Sequence, residues 1–75
     1  MIIENLAKLC DWATAAAREF GVDPACAEAA AGAIWRHAHG QGLRAGDDWG
    51  WILEQYGREQ FREIAAAAAR PGRGR

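Results

Sequence analysis

The chain has 75 residues, a mass of 8.1 kDa and a formal charge of −1, enough for one domain and too little for a second, because a chain this short buries only ~60% of the surface its unfolded form exposes. Eighteen of its apolar residues are Ala, which leaves seventeen Val, Ile, Leu, Phe, Trp and Tyr to fill an interior. One Lys and eight Arg against ten acids exclude recruitment to nucleic acid or membrane by net charge alone.

The apolar positions Ile2, Leu6, Leu9, Ala13, Ala16 and Phe20 recur at alternating steps of four and three, the spacing of one helix face. Glu4, Lys8, Asp11 and Arg18 gather opposite, so the spacing predicts an amphipathic first helix reaching Phe20. Gly21 supplies a left-handed residue to end it, and Val22 is placed to fold back as the apolar partner of that cap. Asp23-Pro24 is an N-cap followed by proline at the first helical position, which starts a second helix. Ala27, Ala30, Ala31, Ile34 and Ala38 share its inner face, with Cys26 and Trp35 on the flanks, and it ends at Gly40. The short connection makes the two helices antiparallel neighbours.

Residues 40–46 hold three glycines and read as a loop anchored by Leu43. Asp47 or Asp48 caps a last helix that extends to about Ala69, with Trp49, Ile52, Leu53 and Tyr56 on one face and Trp51 pointing away. Gly57 either breaks this helix or weakens it by ~1 kcal/mol relative to Ala; the continuous reading puts Leu53, Gln60, Ile64 and Ala67 on one face. Ala65 to Ala69 favour helix, Pro71 stops it, and residues 71–75 form a flexible basic tail. No alternating β-branched run occurs, so the expected fold is all-α: a single domain over residues 1–70, a bundle of three to four helices whose last is long or kinked at Gly57.

The residues that carry chemistry are few. Cys10, Cys26, His37 and His39 lack the paired spacing of a structural zinc site, and the two cysteines, which the hairpin could bring together, read as small packing residues. His37 and His39 fall in the last turn of the second helix, where imidazoles suit the negative end of its dipole. There is no Ser and only one Thr, Thr14. The glycine loop lacks the Lys and Ser/Thr of a nucleotide-binding loop, and Asp47-Asp48 would repel phosphate there. The expectation is a protein that is not an enzyme and uses no cofactor or metal. The N-terminal stretch lacks a secretory pattern, and no apolar run is long enough to span a bilayer, so a cytoplasmic location without membrane contact is expected.

What remains is surface. Trp51, off its helix's apolar face, with Arg44, Arg58 and Arg62 forms the candidate partner-binding set, since Trp and Arg are enriched in binding hot spots. Residues 36–75 carry seven bases against five acids, so Arg36, Arg70, Arg73 and Arg75 are candidate nucleic-acid contacts beside those on the last helix. In its general character of one small helical domain with an outward Trp and Arg surface and no catalytic constellation, the chain resembles the small inhibitors encoded by phages, the anti-CRISPR proteins among them. That resemblance implies occlusion of a protein surface on a bacterial defence complex. DNA mimicry does not follow, because the chain is not strongly acidic. A protein partner is the first reading; a nucleic-acid-binding regulator and a homo-oligomerising module are the alternatives.

Overall fold

The computed structural model describes residues 1–69; Arg70, Arg73, Arg75 and the basic tail lie outside the described residues. Helix α1 spans Leu6–Phe20 and α2 spans Cys26–Gly40. The last helix, α3, covers residues 50–69 in three consecutive segments: an α-helical turn Gly50–Ile52, a π-helical turn Leu53–Gly57 and an α-helical stretch Arg58–Ala69. The all-α class, the packed α1–α2 pair and the continuous last helix agree with the sequence reading.

Helix α1 starts later than its apolar spacing suggests. Asn5 is the N-cap, its side-chain oxygen accepting the Lys8 N–H at 2.9 Å. Residues 1–3 precede it as an extended arm laid along residues 46–49. Ile3 N–H donates to the Asp47 carbonyl, Gly46 N–H to Ile3 and Trp49 N–H to Met1, at 3.2, 2.8 and 2.7 Å. An isolated antiparallel bridge joins Ile2 to Asp48. The arm reverses two expectations, because Ile3 becomes a buried core residue while Ile2 and Leu6 stand exposed. In an extended segment neighbouring side chains alternate between faces, so burying Ile3 turns Ile2 outward.

Both hairpin helices end in the same left-handed device. Gly21 has φ 70°, its N–H reaches the Arg18 carbonyl, and Val22 N–H donates to Ala17 at 2.9 Å while Val22 is buried. The pattern repeats after α2, where Gly42 has φ 91° and Leu43 N–H donates to Ala38 at 2.9 Å. Each paired bond satisfies carbonyls that a helix end otherwise leaves open and folds an apolar residue back onto the core. Helix α2 begins at Cys26, two residues later than expected, after a turn in which Asp23 Oδ1 accepts the Ala25 N–H at 3.0 Å.

The facing surfaces of α1 and α2 are small side chains: Ala13, Ala16 and Ala17 on one helix, Ala27, Ala30, Ala31 and Ala38 on the other, all buried. Helix α3 supplies the bulk through Ile52, Leu53 and Phe61, together with Trp49 at its N-cap. Its buried stripe of Trp49, Leu53, Gly57 and Phe61 steps by four residues each time. An ordinary helix turns about 100° per residue, so three such steps would drift about 120° around its surface. The π-turn absorbs the drift: Arg58 N–H reaches back five residues to Leu53, and all four positions stay on the core.

That rotation places Phe61 in the core, fully buried, while Gln60, Ile64 and Ala67, the expected members of the face, are half-buried. Gly57 does not break the helix. It is buried, and a Cβ there would stand 2.8 Å from Trp12 Cη2, so the glycine admits the indole. Beyond Phe61 no described residue of α3 is buried, since α1 has ended at Phe20.

Candidate functional site

The arm runs beside the residues that lead into α3. Gly50 lies so close to the Met1 backbone that a Cβ on it would be 3.3 Å from the Met1 nitrogen, and Trp51 follows directly. The large exposed apolar residues of the described chain are Met1 (59%), Ile2 (53%), Trp51 (51%) and Leu6 (44%). All belong to the arm, the first turn of α1 or the first turn of α3. Three of them were expected inside or were not singled out. The Asn5 cap is the signal that places Ile2 outside the first helix, because it starts the helix after the Ile pair.

Trp51 sits on a firmly held base. Asp48 Oδ1 accepts the Gly50 N–H at 2.9 Å and the Met1 amino group at 2.7 Å, which holds the Asp48 carboxyl below its ordinary value. Its neighbour Trp49 is fully buried, donates Nε1–H to the Arg44 carbonyl at 3.0 Å, and packs on Trp35 with ring centroids 5.3 Å apart. Arg44 in turn donates its backbone N–H to Asp47 Oδ2 at 2.8 Å. Trp51 and Arg44 therefore share one end of the molecule, and the side chain of Arg44 is exposed.

The structure does not bring Arg58 and Arg62 to that end. Arg58 is seven residues, roughly 10 Å of helix, from Trp51, and the π-turn rotates it onto the end of α1. There it donates to Glu19 at 2.9 and 3.4 Å and lies over the Phe20 ring, 5.1 Å from its centre. The hydrogen bonds and charge of Arg58 hold the Glu19 carboxyl below its ordinary value, and Glu19 raises Arg58 in return. Arg62 donates to Glu59 at 3.0 Å, an exposed pair within one helix. Arg36 is exposed on α2, its guanidinium 3.5 Å from where a Gly32 Cβ would be. The candidate contact arginines among the described residues, Arg36, Arg44, Arg58 and Arg62, thus stand on three different elements, α2, the loop and α3.

The other residues weighed for chemistry are occupied by packing. His37 stacks face to face on Tyr56, with ring centroids 3.8 Å apart and planes within 5°. His39 donates Nδ1–H to the Trp35 carbonyl at 2.9 Å and packs against Trp35 and Trp49. Both remain in the last turn of α2. Cys10 and Cys26 are free thiols, each half-buried. The antiparallel hairpin sets Cys26 beside the end of α1, whereas Cys10 lies about 15 Å of helix toward the other end. Among the described residues no group of three or more His, Cys, Asp and Glu converges as a metal site, and no helix is long and apolar enough to cross a membrane.

Compared with known protein families, with curated proteins and with solved structures, the chain matches none.

Proposed function

We propose that the protein is a non-enzymatic binding module that covers a protein partner with the surface around Trp51, Arg44, Ile2 and Leu6. The half-exposed Trp51 carries this reading. It is a large aromatic beside a helix start that Asp48 caps and a buried Trp49, and the other large exposed apolar residues, Met1, Ile2 and Leu6, belong to the arm bonded to that start or to the turn that follows the arm. Scattered single apolar residues on a surface need no explanation, but a clustered set rimmed by charge marks an interaction site. Arg44, whose carbonyl accepts from Trp49, adds an exposed guanidinium at this end of the molecule, while Arg58 and Arg62 already serve carboxylates of the same chain.

The resemblance in character to anti-CRISPR inhibitors gives this surface a class of partner: a subunit of a cytoplasmic bacterial defence complex, whose working face would be blocked by bulk and contact. The test is plaque formation by a phage on a host whose CRISPR immunity restricts it, with and without this protein. Restored plaquing that Trp51→Ala or Arg44→Ala removes, while the variants keep their helical circular dichroism, is the expected result. Unchanged restriction across hosts carrying different defence types removes the inhibitor assignment, and full activity in both variants removes the surface.

A further inference from the structure

The arm at residues 1–3 is a strand with one used edge. The backbone groups of Met1 and Ile3 turn toward residues 46–49 and make the three bonds described above. In an extended chain successive N–H and C=O groups point to opposite sides, so those of Ile2 and Glu4 face away from that loop. Among the described residues neither Ile2 nor Glu4 finds a backbone or side-chain hydrogen-bond partner for its main-chain N–H. Both residues are exposed. An open edge of this kind is a template for another strand.

We propose that a second copy of this chain occupies that edge, the two arms pairing antiparallel about a two-fold axis that passes between their Ile2 residues. In this register each Ile2 donates its N–H to the Ile2 carbonyl of the other copy and accepts in return, the closely bonded pair of an antiparallel ladder. One residue thereby satisfies both of its free groups against its own symmetry mate, which is what an isologous contact requires. The large exposed apolar side chains of the described residues, Ile2, Met1, Leu6 and Trp51, belong to this arm, to the first turn of α1 that follows it or to the start of α3 bonded to it. The Met1 amino group, which would otherwise set two positive charges near the axis, is already held by Asp48.

The area fits the same occupant. Half an aromatic side chain and three half-exposed aliphatic ones present roughly 400 Å². A stable dimer buries about 800 Å² per copy, of which somewhat more than half, roughly 450 Å², is apolar. The pairing goes beyond the partner reading, and it gives that reading a competitor: a protein that docks on Trp51 displaces the second copy.

Sedimentation equilibrium of the protein alone, from micromolar to near-millimolar concentration, tests the proposal without any partner. The expected result is a monomer–dimer equilibrium that Ile2→Lys and Trp51→Glu each shift toward monomer by about tenfold or more in dissociation constant, the effect of losing ~1.4 kcal/mol. Glu28→Lys, on the exposed side of α2, should leave it unchanged. Circular dichroism at the lowest concentration confirms that each variant is folded. A wild-type protein that stays monomeric throughout overturns the proposal, as does a dimer that either arm-side substitution leaves unweakened.

Discussion

The indole of Trp12 on α1 lies against the backbone of Gly57 on α3, so closely that a Cβ at Gly57 would stand 2.8 Å from Cη2 and 3.3 Å from Cζ3. Ile34 of α2 reaches the same point at 3.6 Å, which makes Gly57 the place where all three helices meet. Two effects oppose each other in Gly57→Ala. Helix propensity gains up to ~1 kcal/mol, and overpacking costs ~1–3 kcal/mol. The Trp12 ring is braced edge-on by Phe61, with centroids 6.1 Å apart, so it has little room to retreat. We expect a net loss of about 1 kcal/mol in urea unfolding. In a Trp12→Leu background the same change should become neutral or stabilising, and a gain in the wild-type background would refute the contact.

Phe61 is the last buried residue of α3, stacked on Phe20 at 6.2 Å and met edge-on by Trp12. Phe61→Ala should cost ~3–5 kcal/mol, comparable with the whole stability of roughly 4–11 kcal/mol expected for a chain of this length. Thermal melting should lose most of its cooperative transition. Where residual structure survives, amide exchange should be fastest in Arg58–Ala69, because Phe61 is its one buried anchor.

Two neighbouring glycines should respond to alanine with opposite signs. Gly40 lies in the last turn of α2 with open space around it and no positive φ, so Gly40→Ala gains about 0.4–1 kcal/mol. Gly42 has φ 91° and forms the left-handed cap, so Gly42→Ala loses about 1 kcal/mol or more. Paired denaturation curves decide the matter, and equal effects would mean that the cap is not formed in solution.

The Glu19–Arg58 pair makes stability depend on acid. Glu19 ionises below its ordinary 4.5 in the folded protein, so its contribution is complete above that range and disappears as the pH falls through the lowered value. Wild type should melt above Glu19→Gln at neutral pH, and the two melting temperatures should converge once the pH has fallen below the lowered value. Added salt should narrow the gap at pH 7, since Glu19 is exposed. A gap that persists at low pH would assign the effect to packing.

Much of the hairpin is legible in the residues because its determinants are local. The Ala-rich stripes of α1 and α2, the Gly21-Val22 stop and the outward position of Trp51 follow from helical spacing and cap chemistry within a few residues of each site. Other features needed partners distant in the chain. Periodicity along the first helix selects Ile2 for the interior, and only the bonds from residues 46–49 to the arm turn Ile3 inward in its place. Gly57 reads as a helix weakener until Trp12 arrives, and Arg58 as a free contact until Glu19 takes it. Spacing along one helix states which side chains share a face, but the face's direction, the π-turn that corrects it, and the docking of the arm beside the start of α3 are set by contacts between elements, which only the packed chain contains.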